Sequence, residues 1–161
     1  GAIVDATGCP PPTDSDRDGV VDSNDKCPGT VAGERVDSSG CPALFVGAER
    51  TLVLEGVSFE TGKTVLTAQA RGALDRVAAS LKGNPGQRVE VAGYTDSRGT
   101  AGANLRLSQA RADAVRGYLI ERGVPPEQVV SRGYGEDDPV DTNASAVGRA
   151  RNRRVELHRV N

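Results

Sequence analysis

The stretch Gly93-Tyr94-Thr95-Asp96-Ser97-Arg98-Gly99-Thr100-Ala101-Gly102-Ala103-Asn104-Leu105-Arg106-Leu107-Ser108-Gln109-Ala110-Arg111 sits between two different periodicities. Before it, Arg88-Val89-Glu90-Val91-Ala92 alternates polar and apolar, the pattern of a half-buried strand. After it, apolar residues recur at helical spacing as far as about Arg122. A strand, a loop and a helix entry therefore follow one another. The loop presents a carboxylate, Asp96, just past the strand, and Asn104, Leu107 and Arg111 share one helix face because they are three and four residues apart. An acid and a guanidinium thus flank one crevice. Two readings follow: an ion pair that ties the loop to the helix, or a pair that receives a zwitterion, its ammonium on Asp96 and its carboxylate on Arg111.

Outward from this stretch the chain continues to alternate. Leu52 to Phe59 reads as a strand, and Thr67 as the N-cap of a helix to Lys82 with Ala70, Leu74, Val77, Ala78 and Leu81 on one face. Gly83-Asn84-Pro85-Gly86 ends it before the strand at 88–93. The second helix, about 102–122, places Leu105, Ser108, Ala112, Val115 and Leu119 inward, and Gly123, Pro125 and Pro126 stop it. Val129 to Tyr134 is a third strand, Ala146 to Ala150 a helical turn and Arg153 to Val160 a last strand. Strands separated by helices require crossovers, so the fold class is α/β (α+β): one mixed sheet with helices packed on it.

Residues 1–43 read differently. Val4-Asp5-Ala6-Thr7-Gly8-Cys9-Pro10 returns 32 positions later as Val36-Asp37-Ser38-Ser39-Gly40-Cys41-Pro42, an internal repeat. Between the copies, Asp14, Asp16, Asp18, Asp22 and Asp25 stand at relative positions 1, 3, 5, 9 and 12, with Gly19 at position 6. That is the spacing of a calcium loop, in which a tight turn aims alternate oxygens at one hard cation. The Val20 carbonyl is the expected backbone ligand. An acidic solvated linker is the other reading. Position 12 is Asp rather than Glu and no long helices flank the loop, so an EF-hand pair does not fit; with Cys27-Pro28 following, the segment resembles a thrombospondin type 3 repeat. Each of the three cysteines precedes a proline, and none lies in the second domain, which points to an oxidising compartment. Cys27 and Cys41 close a loop within one repeat and are the expected disulfide, leaving Cys9 over. The division is accordingly 1–43, a calcium-binding repeat segment, and 44–161, the mixed α/β domain.

Composition excludes several classes. Twenty basic against twenty-two acidic side chains give a net charge of -2, too balanced for nucleic acid or an anionic membrane surface. No apolar run approaches the length of a membrane helix, and no signal peptide is visible. The chain contains no Met and reads as a processed or excised piece, with any secretion signal or membrane anchor upstream of Gly1. Its one histidine, His158, lies on the terminal strand; no Gly-x-Ser-x-Gly elbow is present, and Gly133-Tyr134-Gly135 is too short to cradle a phosphate. An enzyme is therefore not expected. A carboxylate pair for glycoside hydrolysis, Glu60 with Asp96, is the reading that keeps one open.

The ordered motifs are more specific. Gly93-Tyr94-Thr95-Asp96, then Asn104-Leu105-x-Leu107-Ser108-x-x-Arg111-Ala112, then Gly133-Tyr134-Gly135, then Gly148-Arg149-x-x-Asn152-Arg153-Arg154-Val155-Glu156 resemble the OmpA-like peptidoglycan-binding domain over about Leu52 to Val160. Many members have His where this chain has Tyr94. The resemblance implies noncovalent binding of peptidoglycan through the diaminopimelate of its stem peptide, with Asp96 and Arg111 as principal contacts. It further implies Asn104, Leu105 and Arg153 beside them, with Thr95 and Glu60 as lesser ones, on the periplasmic face of the outer membrane. A calcium-stiffened adhesion module and a wall hydrolase are the competing readings.

Overall fold

The computed structural model describes Val4, residues 6–57, Phe59 and residues 63–160. The chain divides into two compact units, Gly1–Ala48 and Glu49–Asn161. Ala43 belongs with the first, its N–H donating to the Arg35 carbonyl at 3.0 Å.

Among its described residues the first unit is held by turns rather than by helices or strands. Cys27 and Cys41 form its disulfide, and Val36 bridges Pro42 in antiparallel fashion. Buried Thr30 places its hydroxyl 3.0 Å from the Cys27 carbonyl and 2.9 Å from that of Gly40. Cys9 is exposed and outside the disulfide.

The second unit runs β1 (Thr51–Val53), α1 (Ala68–Gly83), β2 (Val89–Tyr94), α2 (Ala101–Glu121), a 3-10 turn (Pro126–Gln128), β3 (Val129–Gly135), α3 (Ala146–Asn152) and β4 (Val155–Arg159). The strands make one sheet in the order β1-β4-β2-β3. Strands β2 and β3 are parallel, whereas β4 is antiparallel to both β1 and β2. The sheet is therefore mixed, as the alternation of strands and helices requires. Strand β1 is shorter than the expected Leu52 to Phe59. The chain turns at Gly56, whose φ is 79°, and the Val57 N–H reaches back to the Leu54 carbonyl.

Both long helices start where the sequence supplies a hydroxyl. Thr67 accepts from the Ala70 N–H and Thr100 from the Ala103 N–H, each satisfying one of the amides that a helix start leaves unpaired. One layer of the core comes from Ala70, Leu74, Val77, Ala78 and Leu81 of α1 with Ala112, Val115 and Leu119 of α2. Alternate sheet residues Val89, Val91, Val129, Val155 and Leu157 supply the other, all at most 1% exposed. Leu105, expected inward, is 51% exposed: it follows Asn104 by one residue, about 100° around the helix, and so leaves the buried stripe Asn104, Ser108, Arg111, Ala112.

Helix α2 sits closer to the sheet than side chains would allow. A Cβ on Gly93 would lie 2.4 Å from the Ser108 carbonyl oxygen, and one on Gly133 would lie 2.3 Å from the Gln109 amide nitrogen. That proximity lets α2 cover the outer edge of β3. The Gln109 amide accepts from the Gly133 N–H at 2.9 Å and donates to the Ser131 carbonyl at 3.4 Å, and Arg116 Nε donates to the Val129 carbonyl at 2.7 Å. These side chains occupy groups on which another strand could pair. On the opposite face Tyr94 stacks on Tyr134 at 5.2 Å, and the Arg154 guanidinium lies 3.9 Å over the Tyr94 ring.

Since the obstruction at Gly133 is backbone, Gly133→Ala must push α2 off the sheet. A cost of ~1 to 3 kcal/mol, the usual range for overpacking, is expected in urea denaturation. Wild-type stability in that variant would contradict the close seat of α2.

Candidate functional site

The exit of β2 and the start of α2 build a crevice. The Thr95 N–H donates to the Gly135 carbonyl at 2.8 Å, which carries the β2–β3 pairing past the strand end and holds the next residue, Asp96, against the sheet. Thr95 Oγ1 donates to the Asp96 carbonyl at 2.9 Å, and Asn104 Nδ2 donates to the same oxygen at 3.3 Å. The backbone at Asp96 is thus clamped from both sides.

Its side chain is 5% exposed and makes an ion pair with Arg153, Nη1 to Oδ2 at 2.7 Å; Oδ1 accepts from the Arg98 N–H at 3.0 Å. Burial alone would raise the Asp96 pKa. The hydrogen bond from Arg153, the Arg98 amide and the charges of both arginines outweigh it and hold the carboxyl below its ordinary value. Arg111 is 1% exposed, with Nε donating to the Lys63 carbonyl at 2.9 Å and the guanidinium 5.0 Å from the Phe59 ring centroid. Burial, then repulsion by Arg153, lowers its pKa to about 10, against the attraction of Asp96. Both groups keep their charges at neutral pH.

Thr95, Asp96, Arg98, Asn104, Leu107, Arg111 and Arg153 line a cavity of about 160 Å³. The structure therefore brings together Asp96, Arg111, Asn104, Arg153 and Thr95. Leu105 is not in the lining and Leu107 is, again through helical phase. Glu60 lies outside the described residues. Arg98 is the lining residue that the spacing argument passed over; a basic residue two places after the loop acid was its only signal. Tyr94 points to the opposite face, where burial first and the Glu156 charge next raise its pKa.

In the first unit, carboxylate oxygens of Asp14, Asp16 and Asp18 lie within 4.8 Å of one another. Asp18 Oδ2 is buried with no hydrogen-bond partner among the described residues, and a Cβ on Gly40 would fall 3.0 Å from it and 2.2 Å from Asp25 Oδ1. An orphaned oxygen beside a second carboxylate suits a hard cation. Asp22 lies apart from that cluster, accepting from Thr13 Oγ1 at 2.7 Å, the Ser15 N–H at 2.8 Å and Ser15 Oγ at 2.8 Å.

A two-layer mixed sheet with this crevice at the β2–α2 junction defines an OmpA-like domain. The chain belongs to the OmpA family, whose model matches residues 58–153. Outer membrane porin F of Pseudomonas aeruginosa is 45% identical over 145 residues, covering 89% of this chain and 41% of that protein. The peptidoglycan-associated lipoprotein of the same species is 46% identical over 99 residues, 62% of this chain and 58% of its own length. The chain thus spans less than two thirds of either relative. The crystal structure of the peptidoglycan-associated lipoprotein from Burkholderia pseudomallei superposes with a TM-score of 0.62 at 33% identity, over 70% of this chain and 91% of that one. Among the described residues no helix is long and apolar enough to cross a membrane.

The depressed Asp96 pKa fixes the sign of an acid effect. Its contribution to stability is complete above the unfolded-state value, roughly 4, and disappears as pH falls through the folded-state value. Urea midpoints of wild type and Asp96→Asn should differ steadily from pH 7 to about 4 and converge below that value. A gap that persists to pH 2 would remove the Asp96–Arg153 pair as its source.

Proposed function

We propose that the second unit binds peptidoglycan noncovalently by holding the free zwitterionic end of a diaminopimelate residue, and so anchors an outer-membrane protein to the cell wall from the periplasmic face. The observation that carries this reading is the pairing of a buried acid and a buried guanidinium on one cavity. Asp96 and Arg111 are 4% and 1% exposed, a costly burial for two charged groups on one cavity that had no ligand to meet. The ammonium meets Asp96, which has about four lone-pair positions and spends one on Arg153 and one on the Arg98 amide. The carboxylate meets Arg111, whose planar fork suits it, with Arg153 and Arg98 adding positive charge nearby. Family membership and the similarity to peptidoglycan-associated lipoproteins support peptidoglycan as the ligand class. A hydrolytic pair would need a second carboxylate, and Asp96 is the one carboxylate among the described lining residues.

In the first unit we propose a calcium-stiffened spacer. Asp14, Asp16 and Asp18 would hold the ion, with Asp25 beside Asp18; the Val20 carbonyl and Asp22 complete the set, Asp22 by leaving Thr13 and Ser15. Calcium would supply the positive charge that lets these carboxylates converge.

Removing one member of a desolvated charge pair typically costs ~2 to 5 kcal/mol, so Arg111→Ala should weaken binding of a diaminopimelate muropeptide about thirtyfold or more. A lysine-type muropeptide lacks the second carboxylate; it should bind wild type poorly and lose little further in Arg111→Ala. Equal calorimetric affinities for wild type and folded variant on the diaminopimelate ligand would refute the proposal.

Calorimetry on the full chain should also show calcium uptake that falls in Asp18→Asn. Chelation should speed amide exchange before about residue 43 and leave the second unit protected. No uptake at millimolar calcium would end the spacer reading.

A further inference from the structure

A buried amide outside the crevice is wired to its loop. Asn152, 0% exposed at the end of α3, spends both ends of its side chain on the segment that follows β3. Its Oδ1 accepts from the Val140 N–H at 2.8 Å and the Asp141 N–H at 3.0 Å, while Nδ2 donates to the Asp141 carbonyl at 2.9 Å and to Asn143 Oδ1 at 3.0 Å. Asn143 passes the connection on, because the same Oδ1 accepts from the Ser97 N–H at 3.2 Å. Ser97 lies between Asp96 and Arg98, whose N–H in turn binds Asp96 Oδ1 at 3.0 Å.

The same segment is tied down independently. Arg149 Nη1 donates to the Asn143 carbonyl at 3.0 Å, and a Cβ on Gly148 would fall 1.9 Å from the Thr142 carbonyl oxygen. Asn143 is thus held at its backbone by α3 and at its side chain by Asn152. The residue after Asn152 is Arg153, which grips the other Asp96 oxygen. Two consecutive residues at the end of α3 therefore reach the Asp96 loop by separate routes, one through a charge and one through an amide chain.

We infer that Asn143 is a positioning residue for the binding crevice: through Ser97 it sets where the Asp96 carboxylate stands, without itself lining the cavity. The inference rests on the proposed reading of Asp96 as a ligand contact. The acceptor oxygen alone makes both of these bonds, so the chemistry needs an oxygen at this place rather than an amide. A carboxylate would serve equally.

The test compares wild type, Asn143→Ala, Asn143→Asp and Asp96→Ala as full chains, by calorimetry with a soluble diaminopimelate muropeptide and by amide exchange at Ser97. Asn143→Ala should weaken binding about tenfold, equivalent to ~1.4 kcal/mol, with faster Ser97 exchange and an unchanged melting temperature. Asn143→Asp should restore both readouts to within about twofold of wild type. Wild-type affinity in Asn143→Ala alongside lost affinity in Asp96→Ala overturns the positioning role and leaves the crevice reading standing. Wild-type affinity in Asp96→Ala overturns both. If Asn143→Ala melts early, Asn143→Ser, whose shorter oxygen cannot span Ser97 and Asn152 together, takes its place; wild-type binding there counts against the role.

Discussion

The approach of α2 to the sheet at Gly93 and Gly133 governs everything near the crevice. With backbone on both sides of the contact, the helix has no side-chain cushion to slide on, and its rotation about its own axis is set. That rotation turns Asn104, Leu107 and Arg111 toward the exit of β2 and sends Leu105 to the surface. It also brings the Ser108 hydroxyl to 2.8 Å from the Gly135 N–H and lays Gln109 along the edge of β3. One steric constraint thus finishes the sheet edge and assembles the cavity.

Charge burial follows from the same geometry and gives the site its character. Arg111 is nearly inaccessible, and the Lys63 carbonyl with the Phe59 ring is part of what offsets its desolvation. Asp96 is held by Arg153 and by the Arg98 amide while the backbone beneath it is gripped by Thr95 and Asn104. Three guanidinium groups and one carboxylate among the described lining residues leave the cavity electropositive. Groups prepaid in position lose little freedom on meeting a ligand, which is how a small polar crevice obtains affinity.

The first unit obtains order by another route. Its carboxylates accept backbone N–H groups: Asp14 from Arg17 and Gly19, Asp18 from Val20 and Asp25 from Cys27 within their own turns, and Asp16 from the more distant Gly29 and Thr30. Each acid therefore shapes the chain around it, and the Cys27–Cys41 link closes the segment that follows, in a unit where Phe45 is the one buried apolar side chain among the described residues. Asp22 likewise shapes the turn that begins at Thr13, accepting from Thr13 Oγ1 and the Ser15 N–H.

Local chemistry made most elements legible in the sequence. The hydroxyl at Thr67, the alternation at 88–92 and the stops at Gly123 and Pro125 act over a few residues and need no partner from elsewhere, so helices, strands and mixed-sheet class could be read directly. The pairing of Cys27 with Cys41 followed from a repeat, which is likewise written along the chain. Asp96 and Arg111 could be placed on one crevice because a strand exit and one helix face determine both positions. Which guanidinium grips Asp96 could not, since Arg153 arrives from a different strand end, 57 residues away. The extent of β1, the phase that exposes Leu105 and the Asn152–Asn143–Ser97 chain were also decided by tertiary structure alone. Each depends on contacts between segments distant in sequence, where the close packing of α2 and α3, and not local preference, selects the partner.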